Sequence, residues 1–220
     1  MAKLQYHANG ANLYETGVKN VALYVMDEDG SYGPGVAWNG VTNVTLSPSG
    51  AEATPLYADD IKYLNLISAE EMGGTIEAYT YPDEFGVCDG SVSVSGMKFG
   101  QQTRKTFALV FETTIGNEVN ANLGNKLHVV YGCLAAPSEK AYATINDSPE
   151  AITFSWELTT TPVAVELGDG KTYKPTSYIE LDSTKLVGKY ETLKDSFYGS
   201  ESEEPKLLMP NEIHTIVKGA

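Results

Sequence analysis

The stretch Ile152-Thr153-Phe154-Ser155-Trp156-Glu157-Leu158-Thr159 alternates strictly between large apolar and polar residues. Side chains of a strand point to opposite faces in turn, so this pattern specifies a strand with Ile152, Phe154, Trp156 and Leu158 in a core. Thr153, Ser155, Glu157 and Thr159 then share the other face. Upstream, Leu127-His128-Val129-Val130-Tyr131-Gly132-Cys133-Leu134 reads as a second strand, joined to the first through a Pro/Ser/Asn-rich crossing. The function of the chain turns on what the polar face looks at.

The remaining segments repeat the theme. Asn20–Met26, Val36–Leu46, Ile61–Ser68, Thr75–Tyr81, Thr106–Thr114 and Tyr178–Leu181 have strand character, with turn signals between them. Asn39-Gly40 and Asp169-Gly170 suit hairpin turns, because both residues of such a pair accept positive φ. Glu70-Glu71-Met72-Gly73-Gly74 reads as a break between two strands, and Tyr81–Gly90 as a short helical turn and loop. Asp27–Gly35, Ser91–Gln102 and Gly116–Lys126 read as long loops, and residues 1–19 as an extended arm. Near the C-terminus Leu186, Tyr190, Leu193 and Phe197 form an apolar stripe at helical spacing. Gly188 argues for a late start of that helix, and Gly199 suits its C′ position. The expectation is a mainly β chain, a sandwich or barrel with one flanking helix: residues 1–182 form the β unit with its arm, and 183–220 pack on it.

Residues in patterns that support catalysis or metal binding are few. The three histidines, His7, His128 and His214, are far apart, and no cysteine or carboxylate set has metal-ligand spacing. Asp27-Glu28-Asp29-Gly30 begins like a calcium loop, but Trp38 occupies the twelfth position where a bidentate carboxylate is needed. No phosphate-cradling glycine loop and no G-x-S-x-G elbow occur. No cofactor is expected. Cys88 and Cys133 read as buried free thiols. The first residues lack an apolar leader core, so a cytoplasmic site of synthesis is expected. With 15 basic and 29 acidic residues the net charge is −14, which opposes tight binding of nucleic acid. Arg104 is the sole arginine; it is either an ordinary surface charge or a fixed bidentate partner of a carboxylate.

Three stretches carry a family resemblance: Gly100-Gln101-Gln102-Thr103-Arg104-Lys105-Thr106-Phe107, Lys126 through Lys140, and Ile145 through Trp156. Together with Tyr57-Ala58-Asp59-Asp60-Ile61-Lys62-Tyr63, Glu77–Pro82, Cys88-Asp89-Gly90 and the segment from Asp182 to Pro210, they make the chain resemble the major tail tube proteins of long non-contractile-tailed (siphovirus-type) phages. The resemblance implies a virion protein, assembled in the host cytoplasm, whose hexameric rings stack into a tail tube. It implies tape measure and tail terminator proteins as further partners, no membrane, no catalysis, and DNA passing through the lumen without tight binding. In that setting Glu77, Glu112, Thr153, Ser155, Glu157 and Thr159 are candidates for the lumen lining, and Arg104, Lys105, Asp59 and Asp60 for subunit contacts. The reading from another class is a carbohydrate-binding sandwich using some of the 14 tyrosines. A hydrolase with a scattered acid pair ranks last.

Overall fold

The computed structural model describes residues 4, 6–145, 147 and 150–219. The chain is mainly β, with twelve strands: β1 (Tyr14–Val25), β2 (Val36–Ala37), β3 (Val41–Gly50), β4 (Ala53–Ala58), β5 (Ile61–Ile67), β6 (Glu70–Ala78), β7 (Val92–Val94), β8 (Met97–Phe99), β9 (Phe107–Gly116), β10 (Gly124–Ala135), β11 (Phe154–Thr160) and β12 (Tyr178–Asp182). A 3-10 turn spans Asp83–Val87, and two helices follow the strands, α1 (Tyr190–Tyr198) and α2 (Pro210–Lys218). One antiparallel sheet has the order β2-β1-β9-β10-β11-β6-β3, with β12 also on β10; β4-β5 and β7-β8 form separate hairpins. The large sheet does not close into a barrel.

β10 makes this topology possible. Its first half, Lys126–Val130, pairs with β12, and its second half, Cys133–Ala135, pairs with β11. The change of partner falls at Gly132, where φ is +62° and a Cβ would lie 2.2 Å from the carbonyl oxygen of Thr161. Only glycine combines that backbone conformation with that approach. The sheet bends there, and its two halves face each other.

Between the halves lies the first core. Leu23 of β1 and Phe107, Leu109 and Phe111 of β9 meet Ile76 of β6 and Trp156 and Leu158 of β11. Phe85, from the 3-10 turn, sits among Trp38, Tyr81, Phe107 and Trp156 at ring-centroid distances of 4.4 to 6.0 Å. Such tilted and edge-on pairs add attraction beyond burial alone. The opposite face of β1, β9 and β10 carries Tyr24, Ala108, Val110, Leu127, Val129 and Tyr131, which the helices cover with Tyr190, Leu193, Phe197 and Ile213. Buried tyrosine hydroxyls fasten that layer: Tyr131 donates to the Leu208 carbonyl at 2.7 Å, and Tyr24 to that of Phe197.

Several expectations hold and others are corrected. α1 begins late, after Gly188, and ends at Gly199. Among the described residues a second helix follows the flanking one: the segment Pro210–Val217, which suits a short helix or a strand from sequence, is helical, with Pro210 opening α2 and Glu212 accepting the Met209 N–H at 2.8 Å. Asn39-Gly40 turns the chain but makes no hairpin; β2 pairs with β1 and β3 with β6. Glu70–Gly74 is strand, not a break. Gly73 and Gly74 are there for close approach, since a Cβ on Gly74 would stand 2.3 Å from the Thr45 carbonyl oxygen. Ser91–Gln102 contains the β7-β8 hairpin, and β1 claims the arm from Tyr14 onward. Met1, Ala2, Lys3 and Gln5 of the arm, and Asn146, Ser148 and Pro149 of the resembling segment, lie outside the described residues.

Cys88 and Cys133 are free and buried. Burial pushes the Cys88 thiol up to about 12, against the pull of Lys105, and pushes Cys133 up as well. Neither forms the reactive thiolate at neutral pH. We therefore expect a thiol reagent to label the native protein slowly at pH 8 and both cysteines rapidly in denaturant; fast labelling of the native chain would contradict their burial.

Candidate assembly surface

β3 and β6 do not end at the edge of the sandwich. Gly50 pairs with Glu70, and after a break at residues 51–52 and 68–69 the pairing resumes with Ala53 opposite Ile67. The register is the same on both sides of the break, so β3-β4-β5-β6 is one long ribbon. Val44, Leu46 and Ile76 face the first core at its base. From Ser47 to Glu71 every residue is exposed. At about 3.3 Å per residue the exposed part reaches about 40 Å from the body. The tip is Asp59-Asp60, with φ of +49° and +60°, the geometry of a type I′ turn.

This ribbon is not a polar loop. The alternation that sends Val44 and Leu46 inward continues, in register, to Leu56, Leu64 and Leu66, which are 42, 38 and 55% exposed. Tyr57, Ile61, Tyr63 and Ile67 are more exposed still. An isolated two-stranded hairpin is marginal in water, and an uncovered apolar strand pair invites another chain.

The outer face of β3-β6-β11 has the opposite character. Register aligns Asn43 with Glu77 and Glu77 with Ser155, Thr45 with Thr75 and Thr75 with Glu157, and Ser47 with Gly73 and Gly73 with Thr159. The structure thus brings Glu77, Ser155, Glu157 and Thr159 onto one face, while Trp156 and Leu158 point into the core. Thr153 is exposed just before β11 begins. The strand residues that alternate onto this face supply hydroxyls, an amide and three carboxylates (Glu71, Glu77 and Glu157), and no Lys or Arg.

Glu112 does not belong to that face. It is fully buried beneath α1, where it accepts hydrogen bonds from Asn20 at 2.6 Å and Tyr190 at 3.1 Å and pairs with Lys194 at 3.1 Å. Alternation correctly sets it opposite Phe111, but the helix covers that side. Arg104 makes its described contacts within its own chain. Its guanidinium donates to the carbonyls of Ala135 at 3.1 Å and Cys88 at 3.4 Å and lies 3.8 Å from Asp89. Asp89 in turn takes Lys140 at 2.5 Å and the Trp156 indole N–H at 3.0 Å. Lys105 is half-buried, with its backbone N–H on Val87. Asp59 and Asp60 stand free at the ribbon tip.

A polar cluster at the far end of β9 and β10 was not foreseen. Glu15 pairs with Lys126 at 2.7 Å and lies 3.2 Å from the His128 ring; Lys126 also meets Glu180 at 3.0 Å. Thr113 bonds to both Glu15 and His128, and Tyr178 to the other ring nitrogen of His128. Strand pairing of β1, β9, β10 and β12 assembles these residues, which no sequence spacing joins. Burial would raise the Glu15 carboxyl, but the hydrogen bonds from Lys126 and Thr113 and nearby positive charge hold it below its ordinary value. Burial holds the His128 imidazole below its ordinary value despite Glu15 and Glu180. Both groups therefore bind protons more weakly folded than unfolded, and both take stability away as pH falls. The His128 contribution is full above about pH 6.5 and declines below it; that of Glu15 declines below about pH 4.3. We expect the urea midpoint to drop on acidification from pH 7 to 5, and His128→Gln to flatten that drop. An unchanged slope in the variant would show that His128 titrates alike in both states.

Among the described residues no group of His, Cys, Asp and Glu is arranged to hold a metal ion, and no helix is long and apolar enough to cross a membrane. The largest described cavity, about 560 Å³, lies between β1, Trp38 and α1 and brings no nucleophile and base together. In comparisons with known proteins, no family model matches the chain and no curated protein matches it.

Proposed function

We propose that this chain is a structural, non-enzymatic subunit that assembles with copies of itself into rings stacked as a tube, in the manner of the phage tail tube proteins it resembles. The observation that carries the reading is the ribbon: a strand pair exposed from Ser47 to Glu71, with an apolar stripe left open among the described residues. A second copy is the partner always present at equal concentration. Leu56, Leu64 and Leu66 are already about half-buried, so covering the rest of each is worth about 1 kcal/mol, repeated at every interface.

The outer face of β3-β6-β11 suits the wall of a conduit. A surface contacting about 6–10 phosphates would grip DNA through counterion release. A lining of Thr45, Ser47, Thr75, Glu77, Ser155, Glu157 and Thr159 offers no cation to grip with. The tube would pass a genome from virion to host, with the tape measure protein inside it during assembly and a terminator protein at its end. The carbohydrate-binding alternative draws less support: of the exposed tyrosines only Tyr57 and Tyr63 share an element, the ribbon, while Tyr14, Tyr79, Tyr142 and Tyr173 are scattered from β1 to the C-terminal loops. Negative-stain microscopy and sedimentation velocity of the full chain test the reading. Rings or tubes are expected; a chain that stays monomeric at millimolar concentration and binds a glycan array would replace the conduit with a lectin-like module.

A further inference from the structure

At the end of the sandwich away from the ribbon lies a concavity of about 410 Å³. Tyr81, Ser91, Lys98, Arg104, Lys140 and Tyr142 are among the residues around it. Its charge is unusual for this molecule. In a chain of net −14, Lys98, Arg104 and Lys140 line one pocket that holds a single carboxylate, Asp89. Lys140 and Arg104 share Asp89. Lys98 has no carboxylate partner among the described residues; its ammonium bonds to the Tyr81 hydroxyl at 3.2 Å and lies 4.5 Å from the centre of that ring. The pocket thus retains positive charge, with aromatic walls. The β7-β8 hairpin at its rim adds exposed Val94, Met97 and Phe99.

The ribbon tip is the complement. Asp59 and Asp60 are adjacent, exposed and without an ion pair among the described residues. Both occupy left-handed backbone, where glycine would be easier and where two like charges repel each other. Tyr57, Ile61 and Tyr63 flank them, exposed. Two carboxylates with apolar shoulders match three cations with an apolar rim.

Within one chain the match is not made: among the described residues neither Asp59 nor Asp60 pairs with Lys98, Arg104 or Lys140. β6 runs from Glu70, on the ribbon side, to Ala78, and the next residues lead to Tyr81 in the pocket wall. The path from Asp60 to Tyr81 is at most about 70 Å of extended strand, with tip and pocket toward its two ends. We propose that the Asp59-Asp60 tip of one copy docks in the Lys98–Arg104–Lys140 pocket of the next. Such head-to-tail contact is heterologous: it does not close on itself in a pair and propagates instead. This inference rests on the self-assembly reading and names the receiving site for the ribbon.

Cross-linking of the full chain separates the two ideas. Gly100 has open space at its Cβ position, so Gly100→Cys places a thiol at the pocket. Ala58→Cys places one beside the tip in a separately tagged copy. The native cysteines, buried and protonated, do not compete. Mixing the two proteins under mild oxidation is expected to give a tip-to-pocket heterodimer. Asp59→Lys with Asp60→Lys in the tip copy should slow it about tenfold, and so should Lys98→Glu with Gln101→Glu in the pocket copy. Combining the two reversals should restore it. The pocket changes leave the partners of Asp89 in place, and circular dichroism verifies that each variant is folded. No cross-link, or one indifferent to both reversals, overturns the inference, whether or not the wild-type chain forms tubes. A charge-dependent cross-link in a chain that never forms rings or tubes upholds the docking site and discards the tube.

Discussion

Replacing residues 51–69 by the dipeptide Asn-Gly is expected to abolish assembly and leave a folded monomer. Gly50 and Glu70 already face each other across the ribbon, so a two-residue type I′ turn closes the strands in their existing register. Every residue removed is exposed, so no core contact is lost. Shortening the connection from 19 residues to two also lowers the entropic cost of closing it, by at most about 2 kcal/mol. The melting temperature should stay within a few degrees of the parent, while sedimentation shows one species of monomer size under conditions where the parent forms rings or tubes. Assembly that survives the excision would move the interface to the sandwich itself. A variant that unfolds would mean that the ribbon supports the body.

The second large effect concerns stability. Glu112→Ala is expected to cost about 3–5 kcal/mol, because it strands Lys194 at the edge of the core and leaves Asn20 and the Tyr190 hydroxyl without their acceptor. Urea unfolding should show the loss as a lower midpoint with an unchanged slope. Glu112→Gln keeps an acceptor for Tyr190 and should cost distinctly less. Glu112→Leu combined with Lys194→Met removes both charges at once and should recover much of the deficit, since a buried ion pair often contributes little over an apolar pair of similar size. Equal losses in all three variants would show that the stranded charge does not set the cost. A loss below about 1 kcal/mol for the alanine variant would mean that solvent reaches the site.

These cases also mark how far the amino-acid sequence could be read. Local periodicity carried the strands: Phe107, Leu109 and Phe111 lie in the core, as their spacing requires. So do Trp156 and Leu158, with Ser155, Glu157 and Thr159 on the reverse. The late start of α1 was legible in Gly188. What sequence could not supply was the third dimension. The strand pattern placed Glu112 opposite Phe111, but the helix that covers it arrives about 80 residues later, and no local signal announces where a helix will lie. Arg104 reads as a lone surface charge until Asp89 and the Ala135 carbonyl are folded against it. Asn39-Gly40 signalled its turn correctly and its pairing wrongly, because a turn fixes direction while strand partners are chosen by the whole sheet. Gly73-Gly74 looked like punctuation and is instead the place where two neighbouring backbones press close. The Glu15–Lys126–His128 cluster joins strands far apart in the chain, so no motif could have revealed it.

The ribbon, which keeps one register from Ser47 to Leu56 and shifts by one residue only between Leu56 and Tyr57 near the tip, is a ruler. Alternation has a period of two, so a change of one residue in each strand would turn the leucine stripe to the other side, whereas a change of two would preserve it. Paired deletions or insertions of two residues between Gly50 and Ala58, matched between Ile61 and Glu70, would therefore alter its reach in steps of about 6.6 Å without exchanging its faces. Spacing between subunits, in any assembly held by this ribbon, is then a quantity that evolution or design can set by length alone, leaving the two cores untouched.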